Sequence, residues 1–566
     1  MSPTERVRSA YAEIAAADRP EIWIHLRREA EALADAQAVE ARLAAGDHLP
    51  LAGTTLAVKD NIDVAGMPTT AACPAFAYEP ARSATAVARL LEAGAVVLGK
   101  TNLDQFATGL VGTRSPHGAV RDARRPEYVS GGSSSGSALA VALGVADLAL
   151  GTDTAGSGRV PAAFQGIVGF KPTRGLVPVS GVVPACRSFD CVSVFARSLA
   201  EAEQAMAILA ATDPADPLGR PVPADAPLAA PPAARIAVPD PDSLTDLTPA
   251  ARDAFAGAAE HLREAGAELL QLDPGVFLAA AELLYGGAFV AERHAAVGAF
   301  VDAHRGQVDP TVGEIVAAAA APSAAALVAD RERLDRLKLE AQMVFARADA
   351  LLFPTTTAQP TIAAVEANPV AANSALGRYT NFVNLLDLCA VAVPAGEADG
   401  GAFGVSVIAP AFADAAAADL ARLLTGEPAS RSVPPTGAGG IELFVAGAHL
   451  TGQPLNHQLT ERGARFLGPA ETAPSYRLFA LDTEPPKPGV LRVDAGGAAV
   501  PGERWLLSPA ALGSFLAGVP RPMALGEVEL ADGDAVVGFL CEPAALEGAR
   551  DITSLGGWRE YLRTTA

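Results

Sequence analysis

The sequence is poor in several residue types, and each shortage excludes a class of protein. Aromatic residues make up only 5% of the 566 residues, and alanine is the most frequent residue in the hydrophobic half of the chain. No apolar run reaches the roughly 18–20 residues that a transmembrane helix needs, and the N-terminus lacks the apolar core of a signal peptide. We therefore expect a cytoplasmic, globular protein whose helices pack closely through small faces.

Cysteine and basic residues are also scarce. The five cysteines show no C-x-x-C spacing, and no histidine flanks the pair Cys186 and Cys191, so we expect buried thiols with neither a disulfide nor a metal site. The 43 Lys and Arg are outnumbered by 64 Asp and Glu, which gives a formal net charge of −21. Such an acidic chain is unsuited to nucleic acid or an anionic membrane, because both carry charge of the same sign.

The length of the chain predicts at least two domains, because a single core stops growing well below this size. We expect the first domain over residues 1–425, a linker rich in proline and glycine over 426–440, and a separate small α/β domain over 441–566. A second proline-rich stretch, 211–233, is expected to be a surface excursion or a linker.

Within the first domain, short apolar segments alternate with helical patterns. An N-terminal helical stretch is predicted from about Pro3 to Ala45, and a further helix over 83–93, with Ser83 near its N-cap. The predicted strands share an apolar composition and end in charged or proline-containing loops; they cover 56–58, 95–100, 167–170, 349–354 and 389–393. This alternation indicates an α/β fold with a mixed β-sheet covered by helices on both faces.

The densest chemical signal consists of two clusters of serine and glycine, GGSSSGS at 131–137 and GTDTAGSGR at 151–159. Hydroxyls and glycines are poor core material, but they suit a site where backbone N–H groups approach a developing negative charge. A phosphate-binding loop is disfavoured because no lysine follows these glycines. The G-x-S-x-G match at 132–136 lacks the buried strand that must precede a nucleophile elbow.

A third interpretation is a serine nucleophile that a lysine activates. The two clusters, together with VKDN at 58–61 and GFKPT at 169–173, resemble the amidase signature family, and the resemblance spans about residues 50–420. It implies Ser157 as the nucleophile, Ser133 as a bridging serine joined to Gly132 by a cis peptide bond, and Lys59 as the base. Lys100 also ends a strand, but there a structural ion pair is the preferred interpretation.

The family resemblance also implies how charge is handled. Backbone N–H groups of Thr154, Ala155 and Gly156, next to Ser157, are expected to form an oxyanion hole. A lysine accepts a proton only when it is neutral, so burial has to lower the pKa of Lys59 by about 2–3 units from its reference value. The residues before it, 56–58, are apolar and provide such an environment.

Two further features resemble the allophanate hydrolases in particular. The stretch 101–116 is similar to theirs, and the additional C-terminal domain is similar to their domain of γ-glutamylcyclotransferase type. The resemblance implies hydrolysis of urea-1-carboxylate to ammonia and carbon dioxide through N-carboxycarbamate, without cofactor or metal. Tyr285 and Arg293, about two turns apart on one predicted helix, are implied to bind the substrate. The resemblance also implies that His449 acts in the second step, with His457 as the alternative candidate.

Other functions stay open at this point. One is a related amidase of the biuret or acylurea type whose C-terminal domain only mediates assembly. Another is the amidase component of a tRNA amidotransferase, although the acidic charge does not favour it. The resemblance also implies a homodimer, with association with urea carboxylase or other enzymes of the same pathway.

Overall fold

In the computed structural model, which describes residues 1–430 and 439–565, the chain divides into two units. The first comprises Met1–Pro221 and Ala233–Pro428, and the second comprises Val222–Pro232 together with the C-terminal residues. Part of the predicted excursion 211–233 therefore folds with the C-terminal unit. Residues 431–438 of the predicted linker 426–440, and residue 566 of the predicted C-terminal domain, lie outside the described residues.

One eleven-stranded mixed sheet organises the first unit, as predicted, in the order β1-β3-β2-β4-β6-β5-β10-β11-β9-β7-β8. Its strands are β1 Trp23–Leu26, β2 Thr55–Lys59, β3 Val96–Thr101, β4 Leu148–Asp153, β5 Val168–Lys171, β6 Cys191–Ala196, β7 Arg235–Pro239, β8 Glu268–Leu272, β9 Ala350–Pro354, β10 Leu388–Ala398 and β11 Gly401–Pro410. Strand β2 is parallel to both β3 and β4, and all of its residues are buried. The continuous apolar run before Lys59 is typical of such a central strand.

Helices connect and cover these strands. They are α1 Pro3–Ala17, α2 Glu29–Ala44, α3 Thr85–Glu92, α4 Ser135–Ala142, α5 Val160–Gln165, α6 Leu199–Leu209, α7 Pro249–Glu264, α8 Gly275–Gly286, α9 Ala291–Ala303, α10 Pro310–Ala318, α11 Ala324–Phe345, α12 Ile362–Ala367, α13 Pro369–Leu376, α14 Asn381–Leu385 and α15 Asp414–Thr425. Helix α4 begins with the last three residues of the first serine-glycine cluster and continues toward the second. It is buried over nearly its whole length.

Of two sequence-based expectations near the N-terminus, the continuous helix was wrong, whereas Ser83 does lie next to the N-cap of its helix. The stretch predicted as helical from Pro3 to Ala45 is interrupted by β1, which pairs antiparallel with β3, because Trp23 and its neighbours supply an apolar edge strand. Ser83 does not cap α3, whose N-cap position is Ala84. Its hydroxyl instead accepts a hydrogen bond from the Ala65 N–H.

The second unit contains two smaller sheets, of five strands in the order β13-β16-β12-β18-β17 and of three strands in the order β15-β14-β19. Its elements are β12 Ile441–Val445, α16 His457–Thr460, β13 Arg465–Glu471, β14 Tyr476–Leu481, β15 Lys487–Arg492, β16 Pro501–Leu507, α17 Pro509–Ala517, β17 Met523–Glu529, β18 Ala535–Cys541, β19 Arg550–Asp551 and α18 Trp558–Thr565. A core that includes Leu443, Phe444 and Trp505 lies among them.

Two features relate to the composition. All five cysteines are buried, as predicted. Among the described helices none is by itself long and apolar enough to cross a membrane; only α8 with Ala288–Ala303, bent by 43°, meets the length and composition criteria as a pair.

Candidate active site

Three predicted residues meet at one edge of the large sheet. Lys59 ends β2, and β4, its parallel neighbour, ends just before the loop that carries Ser157. Because parallel strands present the same ends at one edge of a sheet, the two strands deliver these groups to a common place. Ser133 lies in the loop just before α4 and follows the cis peptide bond between Gly132 and Ser133. This cis bond is the one that the family resemblance implied.

The three side chains form a continuous chain of short contacts. Ser133 Oγ lies 2.8 Å from Lys59 Nζ and 3.0 Å from Ser157 Oγ. Lys59 Nζ also lies 2.7 Å from Thr152 Oγ1. A hydroxyl both donates and accepts, so Ser133 can pass a proton from Ser157 to Lys59 without moving. Ser157 remains 4% exposed, whereas Lys59 and Ser133 are fully buried.

Burial favours the neutral form of the Lys59 amine. Removal from water lowers its pKa to about 7, against the opposing effect of the carboxylates of Asp104, Asp153 and Asp190. The positive charge of Arg293 lowers the pKa further. Lys59 contacts hydroxyls rather than a carboxylate, which keeps its amine available for proton transfer.

The other hydroxyls of the first cluster are structural. Ser134, Ser135 and Ser137 donate to the backbone carbonyls of Thr152, Asn102 and Leu150, which ties the cluster to β4 and to the end of β3. The glycines permit close packing there. A Cβ on Gly136 would lie 2.3 Å from the Ile22 carbonyl oxygen, and one on Gly132 would lie 2.3 Å from Asp104 Oδ2.

Asp153 shapes the loop that carries Ser157. Its carboxylate accepts from the N–H groups of Gly156 and Gly158 and forms a fully buried ion pair with Arg159, at 2.9 Å from Nε. Burial raises the pKa of Asp153, but the charges of Arg159 and Lys171, together with the hydrogen bonds from Arg159 and the Gly158 N–H, hold this pKa below its usual value. Sequence reasoning missed Asp153 and Thr152, although a lone carboxylate within a run of small residues was a signal for a positioning role.

This arrangement changes the expected oxyanion hole. The Gly156 N–H is engaged by Asp153 Oδ1 at 2.9 Å, so its inclusion among the free donors was wrong. Within the part of the chain that the structure describes, the N–H groups of Thr154, Ala155 and Ser157 donate to no protein acceptor. Thr380 Oγ1 donates to the Ala155 carbonyl at 2.6 Å and fixes this turn.

Arg293 is a buried cation that lacks an anion. It is 4% exposed, and its Nη1 donates to Thr108 Oγ1 at 2.6 Å and to the Phe106 carbonyl at 3.4 Å. Among the described residues no carboxylate pairs with it, and its Nε and Nη2 have no hydrogen-bond partner. A buried charge requires a counter-charge. Arg293 can therefore present two donors to a bound carboxylate in the fork geometry of an arginine.

Tyr285 accompanies Arg293, although not on the single helix that the sequence predicted. Helix α8 ends at Gly286, and α9 begins only at Ala291, because Gly287 is extended and the Ala288 N–H is capped by Asp330 Oδ2. The Arg293 guanidinium nevertheless lies 5.8 Å from the centroid of the Tyr285 ring. Tyr285 also lines a cavity of about 1080 Å³ in this unit.

His449 occupies a separate cavity in the second unit. It is 8% exposed, its ring is stacked on Phe539 at 4.9 Å between centroids, and its Nε2 lies 3.1 Å from Gln458 Oε1. Burial lowers the pKa of His449, against the effect of Gln458. His457 is exposed, and its Nδ1 lies 2.9 Å from the Pro454 carbonyl oxygen. The geometry thus favours His449 over His457 as a site residue.

Two further sequence-based questions concern Lys100 and a metal site. Lys100 pairs with Asp60 at 2.9 Å, both fully buried, which confirms the predicted ion pair. In the described part of the chain no three His, Cys, Asp or Glu side chains are grouped so that they could hold a metal ion.

Comparisons with known proteins match the chain to two family models, one for each of two stretches. A family model named Amidase matches residues 5–417, and a model named Allophanate hydrolase C-terminal domain matches residues 441–563. The structure of allophanate hydrolase from Kluyveromyces lactis is similar to the whole chain, with a TM-score of 0.87, 37% sequence identity and 97% of that chain covered.

Two kinds of curated relative illustrate the similarity. Urea amidolyase from Saccharomyces cerevisiae is 41% identical over 572 residues, which cover 95% of this chain but only 31% of that protein. The chain thus spans about a third of the length of the urea amidolyases it matches. A glutamyl-tRNA(Gln) amidotransferase component from Natronomonas pharaonis is 34% identical over 410 residues, which cover 65% of this chain and 94% of that protein.

Proposed function

Because this chain belongs to the amidase family and carries an allophanate hydrolase C-terminal domain, we propose that it hydrolyses allophanate to ammonia and carbon dioxide. The observation that carries the proposal is Arg293, a buried guanidinium without a carboxylate partner among the described residues. Allophanate is urea with a carboxylate attached, so it supplies both the missing anion and an amide for the serine. A neutral amide would leave Arg293 uncompensated.

The first half of the reaction forms an acyl-enzyme. Ser157 Oγ attacks the ureido carbon while its proton passes through Ser133 to neutral Lys59. The negative charge that develops on the carbonyl oxygen is stabilised by N–H groups of the loop 154–157. The C–NH₂ bond then breaks, its electron pair leaves with the nitrogen, and the proton held by Lys59 completes ammonia.

Water resolves the acyl-enzyme by the reverse route. It gives up a proton through the same relay, attacks the acyl carbon and releases Ser157. Allophanate and water thereby yield ammonia, N-carboxycarbamate and one proton. Arg293 holds the carboxylate throughout, so substrate orientation does not depend on the bond that breaks.

The second step converts N-carboxycarbamate into ammonia and carbon dioxide, and we assign it to the cavity that contains His449. The matched C-terminal domain, and a buried imidazole with one free ring nitrogen, support this assignment. Allophanate is supplied by carboxylation of urea, which the similarity to urea amidolyases supports. We further propose that the protein acts in the cytoplasm as a homodimer and associates with urea carboxylase.

Purified protein tests this function directly. Ammonia release from allophanate is measured for the wild type and for Ser157→Ala, with Ser137→Ala as a matched control because its hydroxyl contacts only backbone and Thr101. We expect the first variant to lose at least about 10³-fold in rate and the control to retain turnover. A wild-type enzyme that hydrolyses simple amides but not allophanate would indicate another amidase activity.

A further inference from the structure

Lysine is rare in this chain, and its positions are informative. Only five of the 43 Lys and Arg residues are lysine. Lys59, Lys100 and Lys171 are fully buried in the first unit, and each has a defined partner there. Lys338 is on the surface of α11 near Asp335. Four of the five lysines thus have a partner among the described residues.

The fifth lysine is Lys487, at the start of β15. It is only 9% exposed, yet within the described residues it forms no ion pair and no hydrogen bond through its side chain. It lines the same cavity as His449, and its charge acts on that histidine. An ammonium group that has no protein partner and lies at the wall of a cavity is suited to bind an anion, as Arg293 is in the first unit.

The size of the cavity and the residues that line it suit a small ligand. Its volume is about 180 Å³, and no Asp or Glu is among the residues that line it. Apart from His449, Lys487 and Gln458 its walls are apolar side chains or backbone, with Met523 and Phe539 among them. One side of the cavity can therefore bind a negative charge, whereas the rest favours a neutral group.

We propose that Lys487 binds one carboxylate of N-carboxycarbamate and directs the other toward the apolar wall, where it leaves as carbon dioxide. This inference rests on the proposed function. The C–N bond to the departing carboxyl group breaks, its electron pair stays on nitrogen, and nitrogen takes up one proton from solvent. Carbon dioxide and carbamate result, and carbamate takes up a further proton to yield ammonia and a second carbon dioxide.

The two carboxylates of N-carboxycarbamate need different surroundings in this reaction. A carboxylate that becomes carbon dioxide loses its charge, so an apolar surface disfavours the starting group and accepts the product. The carboxylate on Lys487 keeps its charge until carbamate forms. His449 lines the same cavity with its Nε2 on Gln458, so its Nδ1 is available to the central N–H.

The test uses the full-length enzyme with Lys487→Met, Lys487→Arg and, as a matched control, Lys338→Met. Ammonia and carbon dioxide are followed in parallel from allophanate. We expect Lys487→Met to release the first ammonia at the wild-type rate while carbon dioxide lags about tenfold or more, and Lys487→Arg to recover part of the loss. Carbon dioxide that keeps pace with ammonia in Lys487→Met, or an equal loss in the Met and Arg variants, would overturn the inference.

A binding measurement separates this inference from the proposed function. Malonate resembles N-carboxycarbamate in length and charge, and an Arg293→Met background removes the other anion site. In that background Lys487→Met should weaken malonate binding about tenfold or more by calorimetry. Unchanged binding refutes the anion site even if the enzyme hydrolyses allophanate. If Lys487→Met weakens malonate binding but the wild-type enzyme does not hydrolyse allophanate, the anion site is supported and the proposed function is refuted. Lys487→Gln replaces the Met variant if the latter does not fold.

Discussion

At the scale of single residues, the partners of two buried lysines suit the two residues to different roles. Lys59 and Lys100 are both fully buried near the ends of neighbouring strands, and burial lowers the pKa of each. Lys100, however, pairs with Asp60 at 2.9 Å, whereas Lys59 Nζ forms its hydrogen bonds among the described residues with the hydroxyls of Ser133 and Thr152. A carboxylate partner keeps an amine protonated, and hydroxyl partners leave it free to accept a proton.

The pKa of Lys59 predicts how activity depends on pH. Lys59 accepts a proton only when neutral, and its pKa is lowered to about 7, so kcat/KM for ammonia release should rise about tenfold per pH unit below 7 and level off above it. A Ser133→Ala variant should show a much lower plateau. A profile that stays flat from about pH 5.5 to pH 8.5 would exclude Lys59 as the base.

Arg293 should determine which substrates are accepted. Arg293→Met is expected to raise KM for allophanate at least about tenfold and to leave KM for a neutral amide nearly unchanged, because only allophanate offers a carboxylate. Steady-state kinetics on both substrates measure this difference, and Arg305→Met provides an exposed control nearby. Equal losses on the two substrates would instead assign Arg293 a purely structural role.

At the scale of elements, the strands that end at the site could be predicted from the sequence. The break between two helices and the hydrogen bonds of the loops could not. The apolar run before Lys59 marked β2 because a central parallel strand is buried on both faces. The break between α8 and α9 was missed, since it depends on Asp330, a residue distant in sequence that caps the Ala288 N–H. The engagement of Gly156 by Asp153 was missed for a related reason: loop hydrogen bonds follow from tertiary geometry rather than from composition.

Helix α4 should tolerate no enlargement at its first turn. Gly136→Ala would place a Cβ 2.3 Å from the Ile22 carbonyl oxygen, which we expect to lower the free energy of unfolding by about 1–3 kcal/mol. Gly257→Ala in α7 is the matched control, because no atom lies within 4 Å of its Cβ, and it should stabilise the protein by about 0.5–1 kcal/mol. Urea denaturation of both variants measures the contrast. Equal stabilities would show that α4 can shift to accommodate a side chain.

At the scale of the whole molecule, each of the two units is assembled from separate stretches of the sequence. Composition predicted that 211–233 is an excursion, yet Leu228 donates its N–H to the Gly463 carbonyl and accepts from Arg465 Nε at 2.7 Å. These partners are more than two hundred positions away, so no local pattern could reveal them. The chain therefore contributes to the C-terminal unit from separate stretches.

The division into two units predicts that the two halves of the reaction can be separated by one substitution. His449→Ala should release the first ammonia at the wild-type rate, because Lys59, Ser133 and Ser157 all belong to the other unit. Carbon dioxide and the second ammonia should lag about tenfold or more, since the buried imidazole is lost from the cavity. His457→Ala is the matched control, as that ring is exposed and its Nδ1 lies 2.9 Å from the Pro454 carbonyl oxygen. If both variants release carbon dioxide in step with ammonia, the second unit has no part in the chemistry. If both lag equally, its histidines act through folding.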